Sequence, residues 1–137
     1  MRAMEHWIFI TSPLSFKMDK CLSKFGFVDF RQRNKLTVND IVYIYVSSPV
    51  QEIKYKMIVE RINIPYEDTV DDSPFDVHIK PLEPLQYYSR LRLLQQTDAS
   101  GLHLSYLRKH GLASNLQSNI KVSGELLDYI DGFFINK

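Results

Sequence analysis

The sequence contains little cysteine and no long hydrophobic run, and each shortage excludes a class of protein. Its single cysteine, Cys21, cannot form an internal disulfide, which fits a reducing compartment. No apolar stretch approaches the roughly 18 residues of a membrane-spanning helix, and the N-terminal MRAMEHW lacks the apolar region of a signal peptide. We therefore expect a cytoplasmic protein without a membrane partner.

Recognisable catalytic motifs are also missing from the sequence. It contains no G-x-S-x-G, no glycine-rich phosphate loop and no H-E-x-x-H, and its five glycines are few for a nucleotide-binding fold. The four histidines and the one cysteine do not follow metal-ligand spacing. We expect a protein that is not an enzyme and that needs no cofactor or metal.

The net charge is only +1, but the charges are unevenly distributed along the chain. Residues 65–76 hold five acidic side chains and no Lys or Arg, whereas residues 17–35 carry six basic and two acidic ones. A basic region with an acidic segment elsewhere permits a phosphate-bearing partner. The same runs of charge are also typical of ordinary solvated surface.

Alternation of apolar and polar residues, with many β-branched and aromatic side chains, predicts several strands. The predicted strands are His6–Thr11, Ile41–Val46, Gln51–Ile64 and Phe75–Pro81, while Phe27–Phe30 fits a short strand or an ordered loop. Because only Ser47–Gln51 separates the second strand from the third, these two are expected to form an antiparallel hairpin.

Helical spacing or end signals mark four other segments. The predicted helices are Ser15–Lys24, with Ser15 as N-cap and Gly26 at its end, Leu85–Gln95, Leu102–His110 and Gly124–Asp131. The mixture predicts one α+β domain over residues 1–137, with a sheet of about five strands and flanking helices.

Residues 31–35, which we call the basic loop, have the composition of a nucleic-acid contact. Arg31, Arg33 and Lys35 alternate with Gln32 and Asn34. Basic side chains contact phosphates, whereas amides read base edges. The aromatic residues nearby in sequence can stack a base or belong to the core; they are Phe25, Phe27, Phe30, Tyr43 and Tyr45.

An ordered set of segments resembles the EVE domain, a relative of PUA-like and YTH folds. The matching segments are HWIFITSP, FVDFRQRNKLTVNDIVYIYVSSP, IKYKMIVERINIP, YYSRLRLLQQ and LRKHGLASNLQSNIKVSGELLDYI. They cover about residues 6–131 in the family's order. The likeness is to EVE-like domains joined to nucleases or helicases in modification-dependent restriction systems.

The resemblance implies a compact PUA-like β-barrel of five to six strands, flanked by short helices, with a pocket for one flipped base. It implies a non-catalytic DNA-binding module that recognises a modified base such as 5-methylcytosine and acts with a nuclease or NTPase effector. The implied phosphate contacts are Arg31, Arg33 and Lys35, and the implied pocket residues are Trp7, Asp29, Phe30, Tyr45, Ser47, Asn115 and Gln117.

The chain departs from the family pattern at two places. Val28 and Asp29 occupy the positions of an aromatic cage residue and of the serine that follows it. Asp29 can accept a hydrogen bond from the amine of cytosine, or it can be a loop carboxylate paired with Arg31. Gln117-Ser118-Asn119 stands where the family has Gln-Gly-Pro, so this loop is expected to differ in shape.

Three other functions remain open at the level of the sequence. The same pocket can hold a modified or single-stranded ribonucleotide, because the contact that distinguishes RNA is made to a single hydroxyl group. An enzyme acting on nucleotide-like small molecules is a second alternative. A protein-interaction domain that uses the acidic segment and Phe133-Phe134 is the third.

Overall fold

The computed structural model describes residues 4–32, 34–71, 73–75 and 87–134. Within these ranges, six strands and three helices follow one another as β1 (His6–Thr11), α1 (Met18–Phe25), β2 (Phe27–Arg31), β3 (Ile41–Val46), β4 (Glu52–Pro65), β5 (Tyr87–Gln96), α2 (Leu104–Lys109), β6 (Ile120–Lys121) and α3 (Gly124–Asp131). Short 3-10 turns lie at Tyr66–Asp68, Ser73–Phe75, Ser100–Leu102 and Gly132–Phe134. Within the described ranges, no helix combines the length and the apolar character needed to cross a membrane.

The strands form one mixed sheet in the order β2-β5-β4-β3-β1-β6. β1 pairs in parallel with β3, and the other neighbours are antiparallel, including the predicted β3–β4 hairpin, which is confirmed. The rings of Phe9 in β1 and Phe30 in β2 meet edge to face with centroids 6.1 Å apart. Because these strands are far apart in the sheet order, the contact means that the sheet curls around its interior.

The central strand β3 is buried on both faces, and its alternation divides the apolar residues into two clusters. The inner cluster, inside the curled sheet and under α1, includes Trp7, Phe9, Met18, Cys21, Leu22, Val28, Val42, Ile44, Met57, Val59 and Leu91. The outer cluster, under α2 and α3, includes Ile8, Ile41, Tyr43, Tyr45, Ile53, Leu102, Leu107, Leu126, Ile130 and Phe134. The sheet is therefore the middle layer of the molecule.

Three of the four predicted helices differ in the structure, and the smallest difference is that the predicted Leu102–His110 is helical over Leu104–Lys109. Helix α1 begins at Met18 and not at Ser15, since the backbone N–H groups of Ser15 and Phe16 are used in a turn that closes on the carbonyl of Ser12. It ends as predicted at Gly26, which has φ +76° and donates its N–H to the carbonyl of Leu22.

The predicted helix Leu85–Gln95 is wrong, because residues 87–96 form strand β5. Ser89 and Leu91 point into the interior with the strand period of two, and Leu94, which would lie on the same face of a helix as Leu91, is half exposed. Pairing with β2 on one side and β4 on the other supplies backbone hydrogen bonds that outweigh the helical spacing of the apolar residues. Of the predicted strand Phe75–Pro81, residues 76–81 lie outside the described residues, and Phe75 ends a 3-10 turn.

Asp40 joins the start of β1 to the start of β3. Its buried carboxylate accepts hydrogen bonds from the backbone N–H of Glu5 (3.0 Å), the backbone N–H of Thr37 (3.0 Å) and the indole Nε1–H of Trp7 (3.4 Å). The hydrogen bond from Trp7 is buried and the two from backbone N–H groups are partly buried, so water replaces the carboxylate poorly.

We expect Asp40→Ala to lower the free energy of unfolding by about 3 kcal/mol, because it removes the acceptor of one buried and two partly buried hydrogen bonds. Asp40→Asn keeps one carbonyl oxygen and should lose less. Urea unfolding followed by circular dichroism measures both losses. Equal stability of the Ala variant and the wild type would contradict this role for Asp40.

Candidate functional site

A cleft of about 300 Å³ lies where the acidic segment passes over the outer face of β2 and β5. This volume is at the lower end of the range for small-molecule sites. The cleft is lined by Asp29 of β2, Tyr88 of β5, and Tyr66, Glu67, Thr69, Val70 and Asp71 of the acidic segment. The acidic segment, whose charges are also typical of ordinary solvated surface, therefore forms one wall of the cleft.

Two tyrosines provide the apolar surface of the cleft. Tyr88 is partly buried, Tyr66 is 45% exposed, and their ring centroids are 6.0 Å apart with planes tilted by 56°. This tilt does not form a parallel slot, so a flat ligand can stack on one ring and touch the edge of the other. Thr69 donates its hydroxyl to the carbonyl of Tyr66 at 2.6 Å and closes the turn that carries this ring.

Asp29 forms the floor of the cleft, and its carboxylate is fully engaged in holding the site together. Its Oδ1 accepts from Nε of Arg90 at 2.9 Å, and its Oδ2 accepts from Nη2 of Arg90 and the backbone N–H of Val70, both at 3.1 Å. The Asp29 side chain is only 2% exposed. The ion-pair partner of Asp29 is therefore Arg90, and not Arg31 as one interpretation of the sequence predicted. Little of the Asp29 carboxylate is accessible to contact a base.

The same ion pair fixes the charge on Arg90. The hydrogen bonds that Arg90 donates to Asp29 raise the pKa of the Arg90 guanidinium, with burial opposing the rise. The guanidinium also lies 4.1 Å from the ring centroid of Phe27. Arg90 is thus held between a carboxylate and an aromatic face, and it links β2 to β5 beneath the acidic segment.

The basic loop leaves the sheet beside this cleft. Arg31 pairs in register with Tyr88, so it lies on the same face of β2 as Asp29, two residues earlier. Lys35 is exposed. The third predicted phosphate contact, Arg33, lies outside the described residues.

Hydrogen bonds of Gln32 orient the beginning of the basic loop. Its side-chain oxygen accepts from the backbone N–H of Asn63 (2.8 Å) and the hydroxyl of Ser89 (2.9 Å), and its amide donates to Oδ1 of Asn63 (2.7 Å). Asn63 has φ +56°, a left-handed conformation that asparagine tolerates better than most residues. Gln32, predicted to contact a base edge, is therefore occupied in a network with β4 and β5.

The far end of the basic loop meets the loop that precedes β6. Asn119 donates its side-chain amide to Oδ1 of Asn34 (3.1 Å) and accepts the backbone N–H of Ile10 (3.1 Å). This contact places the two loops side by side, although Asn34 and Asn119 are 85 residues apart in the chain. Asn115 and Gln117 are exposed on this second loop, where Asn115 accepts from Nη2 of Arg108.

The predicted pocket residues are not brought together in one site. Trp7, which is 5% exposed, and Phe30 pack at the inner cluster, whereas Tyr45 belongs to the outer cluster on the opposite face of the sheet. A single base cannot contact rings on both faces of β3. Ser47 lies at the end of β3, where its backbone N–H donates to the carbonyl of Thr11.

Sequence reasoning missed Tyr66, Glu67, Tyr88 and Arg90 as site residues. Tyr88 and Arg90 fell within the segment interpreted as a helix, and a strand assignment would have put both on the face of Asp29. The other signal was the adjacency of an aromatic residue and carboxylates in Tyr66-Glu67-Asp68.

We expect Asp29→Ala and Arg90→Leu each to lower the free energy of unfolding by about 3 kcal/mol, because each leaves a poorly solvated charge. The double variant should lose clearly less than the sum of the two, as measured in a double-mutant cycle by urea unfolding. Additive losses would contradict a coupled pair.

Glu60 and Arg92 supply a matched control on the neighbouring strands. They also form a two-contact ion pair, in which hydrogen bonding from Arg92 lowers the pKa of Glu60, but both side chains are substantially exposed. Solvent screening should therefore limit the loss in Glu60→Ala to under about 1 kcal/mol.

Comparison with protein-family models and with curated proteins finds no match. Solved structures do match over nearly the whole chain. An ASCH protein from Zymomonas mobilis is 12% identical with a TM-score of 0.66, covering 93% of this chain and 94% of that one. The DUF55 domain of human thymocyte nuclear protein 1 is 12% identical with a TM-score of 0.60, covering 91% of this chain and 95% of that one.

A hypothetical protein from Leishmania major has the same arrangement, at 17% identity and a TM-score of 0.65, over 93% of this chain and 92% of its own. Identities this low establish the fold alone. The predicted α+β fold class is confirmed: this chain has the fold of the Zymomonas mobilis ASCH protein and of the DUF55 domain.

Proposed function

We propose that the chain is a non-catalytic nucleic-acid-binding domain that receives one modified base in the cleft at Tyr66 and Tyr88. The observation that carries this proposal is the placement of Arg31 beside Tyr88, on the face of the sheet that forms the cleft. An aromatic ring for a base and a cation for its phosphate are thereby adjacent, as recognition of an unstacked nucleotide requires.

Stacking on tyrosine offsets the cost of extracting the base. Flipping a base from a duplex costs a few kcal/mol, and one base–aromatic stack recovers roughly 1–3 kcal/mol. The half-exposed ring of Tyr66 is accessible to such a base, and Tyr88 forms the wall nearer the sheet. Arg31, Arg33 and Lys35 then hold the phosphates on either side of the extracted nucleotide.

We assign recognition of the base edge to the acidic segment instead of to Asp29. Carboxylates accept hydrogen bonds from the exocyclic amine of cytosine, and Glu67 and Asp71 line the cleft. Asp29 instead orients this wall through the backbone N–H of Val70. A modified cytosine in DNA, with 5-methylcytosine first, is the ligand we propose.

The resemblance to EVE domains extends the proposal to the protein's role. Domains of this kind serve as sensors attached to a nuclease or NTPase effector, and we propose that this chain has the same task in a cytoplasmic defence system directed at modified DNA. The direct test is fluorescence anisotropy on one DNA sequence carrying cytosine, 5-methylcytosine, 5-hydroxymethylcytosine, adenine or N6-methyladenine at one site. A matched RNA probe distinguishes the ribonucleotide alternative.

We expect Tyr88→Ala to weaken binding of the preferred modified probe by about tenfold, since it removes one base stack. Tyr88→Phe keeps the ring and should bind nearly as well as the wild type. Tyr106→Ala, which removes an exposed tyrosine on α2, is the control and should change nothing. Wild-type affinity in Tyr88→Ala would exclude this cleft as the base site.

The phosphate contacts predict a change in salt dependence. Arg31→Ala and Lys35→Ala should each reduce the slope of log affinity against log salt concentration by about 0.9 on duplex DNA, because each removes one phosphate contact. Lys109→Ala, an exposed lysine on α2, is the matched control. Titrations at four salt concentrations measure the slopes, and an unchanged slope in Arg31→Ala would remove the basic loop from the interface.

A further inference from the structure

We propose that the interface continues from the cleft along β5, over a surface that binds backbone phosphates of the same DNA strand. We call it the arginine surface, and it consists of Phe27, Glu60, Arg61, Arg90 and Arg92. This inference rests on the proposed function and adds a second phosphate-binding region, in which Arg61 and Arg92 make the contacts.

The strand register makes the arginine surface continuous with the cleft. Tyr88, Arg90 and Arg92 alternate along β5, so they lie on the same face of the sheet. Arg61 of β4 is directly opposite Arg90, and Phe27 of β2 is directly opposite Arg92. Since directly opposed residues of neighbouring strands share a face, all five lie on the face that forms the cleft. At the rise of a β-strand, about 13 Å separates Tyr88 from Arg92.

Strand β2 places the cleft between two basic regions. It runs from Phe27 in the arginine surface, through Asp29 on the floor of the cleft, to Arg31 at the start of the basic loop. In the proposed complex the basic loop holds the phosphates next to the extracted nucleotide, and the arginine surface contacts those farther along the strand. A DNA strand carries one phosphate for about every 3.4 Å of helix axis, so the arginine surface is long enough to face a few of them.

Positive charge exceeds negative charge in this region. Asp29 neutralises Arg90 and Glu60 neutralises Arg92, whereas Arg61 is exposed and forms no ion pair within the part of the chain that the structure describes. The hydrogen bond from Arg92 lowers the pKa of Glu60, and the charges of all three arginines lower it further. One carboxylate thus lies close to three guanidinium groups, and the remaining positive charge attracts a phosphate.

Arg92 retains donors for a phosphate. Glu60 occupies its Nε and Nη2, the side chain is 47% exposed, and its Nη1 has no acceptor among the described residues. The ring centroid of Phe27 lies 4.1 Å from Cζ of Arg90 and 5.7 Å from Cζ of Arg92. A planar guanidinium that is already held by a ring and a carboxylate loses little freedom when it binds a phosphate oxygen.

Glu60→Gln tests the arginine surface by strengthening it. The exposed ion pair is weak, so a phosphate can compete with Glu60 for Arg92, and loss of the carboxylate charge removes the competitor. We expect about threefold tighter binding of the duplex that carries 5-methylcytosine, measured by fluorescence anisotropy. The same duplex with plain cytosine should gain by the same factor, because phosphates carry no information about the base.

Asp98→Asn is the matched control for Glu60→Gln. It removes the carboxylate of another exposed ion pair, that of Asp98 with Lys54, which precedes Glu60 by about 20 Å along β4. This separation exceeds the Debye length of about 10 Å at 0.1 M salt, so affinity for both duplexes should stay at the wild-type value.

Arg61→Ala tests the same surface by loss of a contact. It should reduce the slope of log affinity against log salt concentration by about 0.9 on both duplexes, because one phosphate contact is removed. The ratio of the affinities for the two duplexes should not change. Lys109→Ala is again the control, and circular dichroism confirms that each variant is folded.

The outcomes separate the arginine surface from the proposal on which it rests. An unchanged slope in Arg61→Ala would overturn it, as would a gain in Asp98→Asn equal to that in Glu60→Gln, since both would show an effect of net charge only. Either result leaves a modified-base reader in place if the wild type prefers the 5-methylcytosine duplex. Equal wild-type affinity for the two duplexes, together with a reduced slope in Arg61→Ala, would support the arginine surface and exclude recognition of 5-methylcytosine.

Discussion

The ion pair between Asp29 and Arg90 is the constraint on which the candidate site depends. It joins the edge strand β2 to β5, and through the backbone N–H of Val70 it holds the acidic segment against the sheet. A buried pair of this kind contributes little net stability, because desolvation offsets most of the attraction. Its consequence is positional: it determines where Tyr66 and Tyr88 lie relative to each other.

The curled sheet provides the rigid support for that arrangement. β3 is covered on both faces, and polar contacts join it to the helix that packs on it. Tyr43, for example, donates its hydroxyl to Asp131 of α3 at 2.7 Å, and Lys56 donates to the same oxygen at 2.8 Å. Burial, together with the hydrogen bond to Asp131, raises the pKa of Tyr43, so this phenol remains a donor at physiological pH. These polar groups are paired with one another within the layers, and the solvent-facing side of β2 and β5 is available for binding.

The proposed interface contains two adjacent regions of opposite charge. The basic loop and the acidic segment lie close together because Arg31 and Tyr88 are neighbours in the sheet. A net charge of only +1 conceals this local separation. In the proposed interface the phosphates and the base contact different parts of this surface, a separation that the overall charge does not indicate.

Local patterns in the sequence determined much of the fold. Strand β3, the hairpin with β4 and the end of α1 at Gly26 follow from side-chain alternation and from backbone preference, which are properties of neighbouring residues. β5 and the cleft were decided only by tertiary structure. The apolar spacing of residues 85–95 fits a helix until β2 and β4 supply partners, and Asp29 finds Arg90 only across a chain separation of 61 residues. The basic loop and the acidic segment can each be recognised in the sequence. Their proximity in one candidate site depends on burial and long-range pairing, which the whole chain determines.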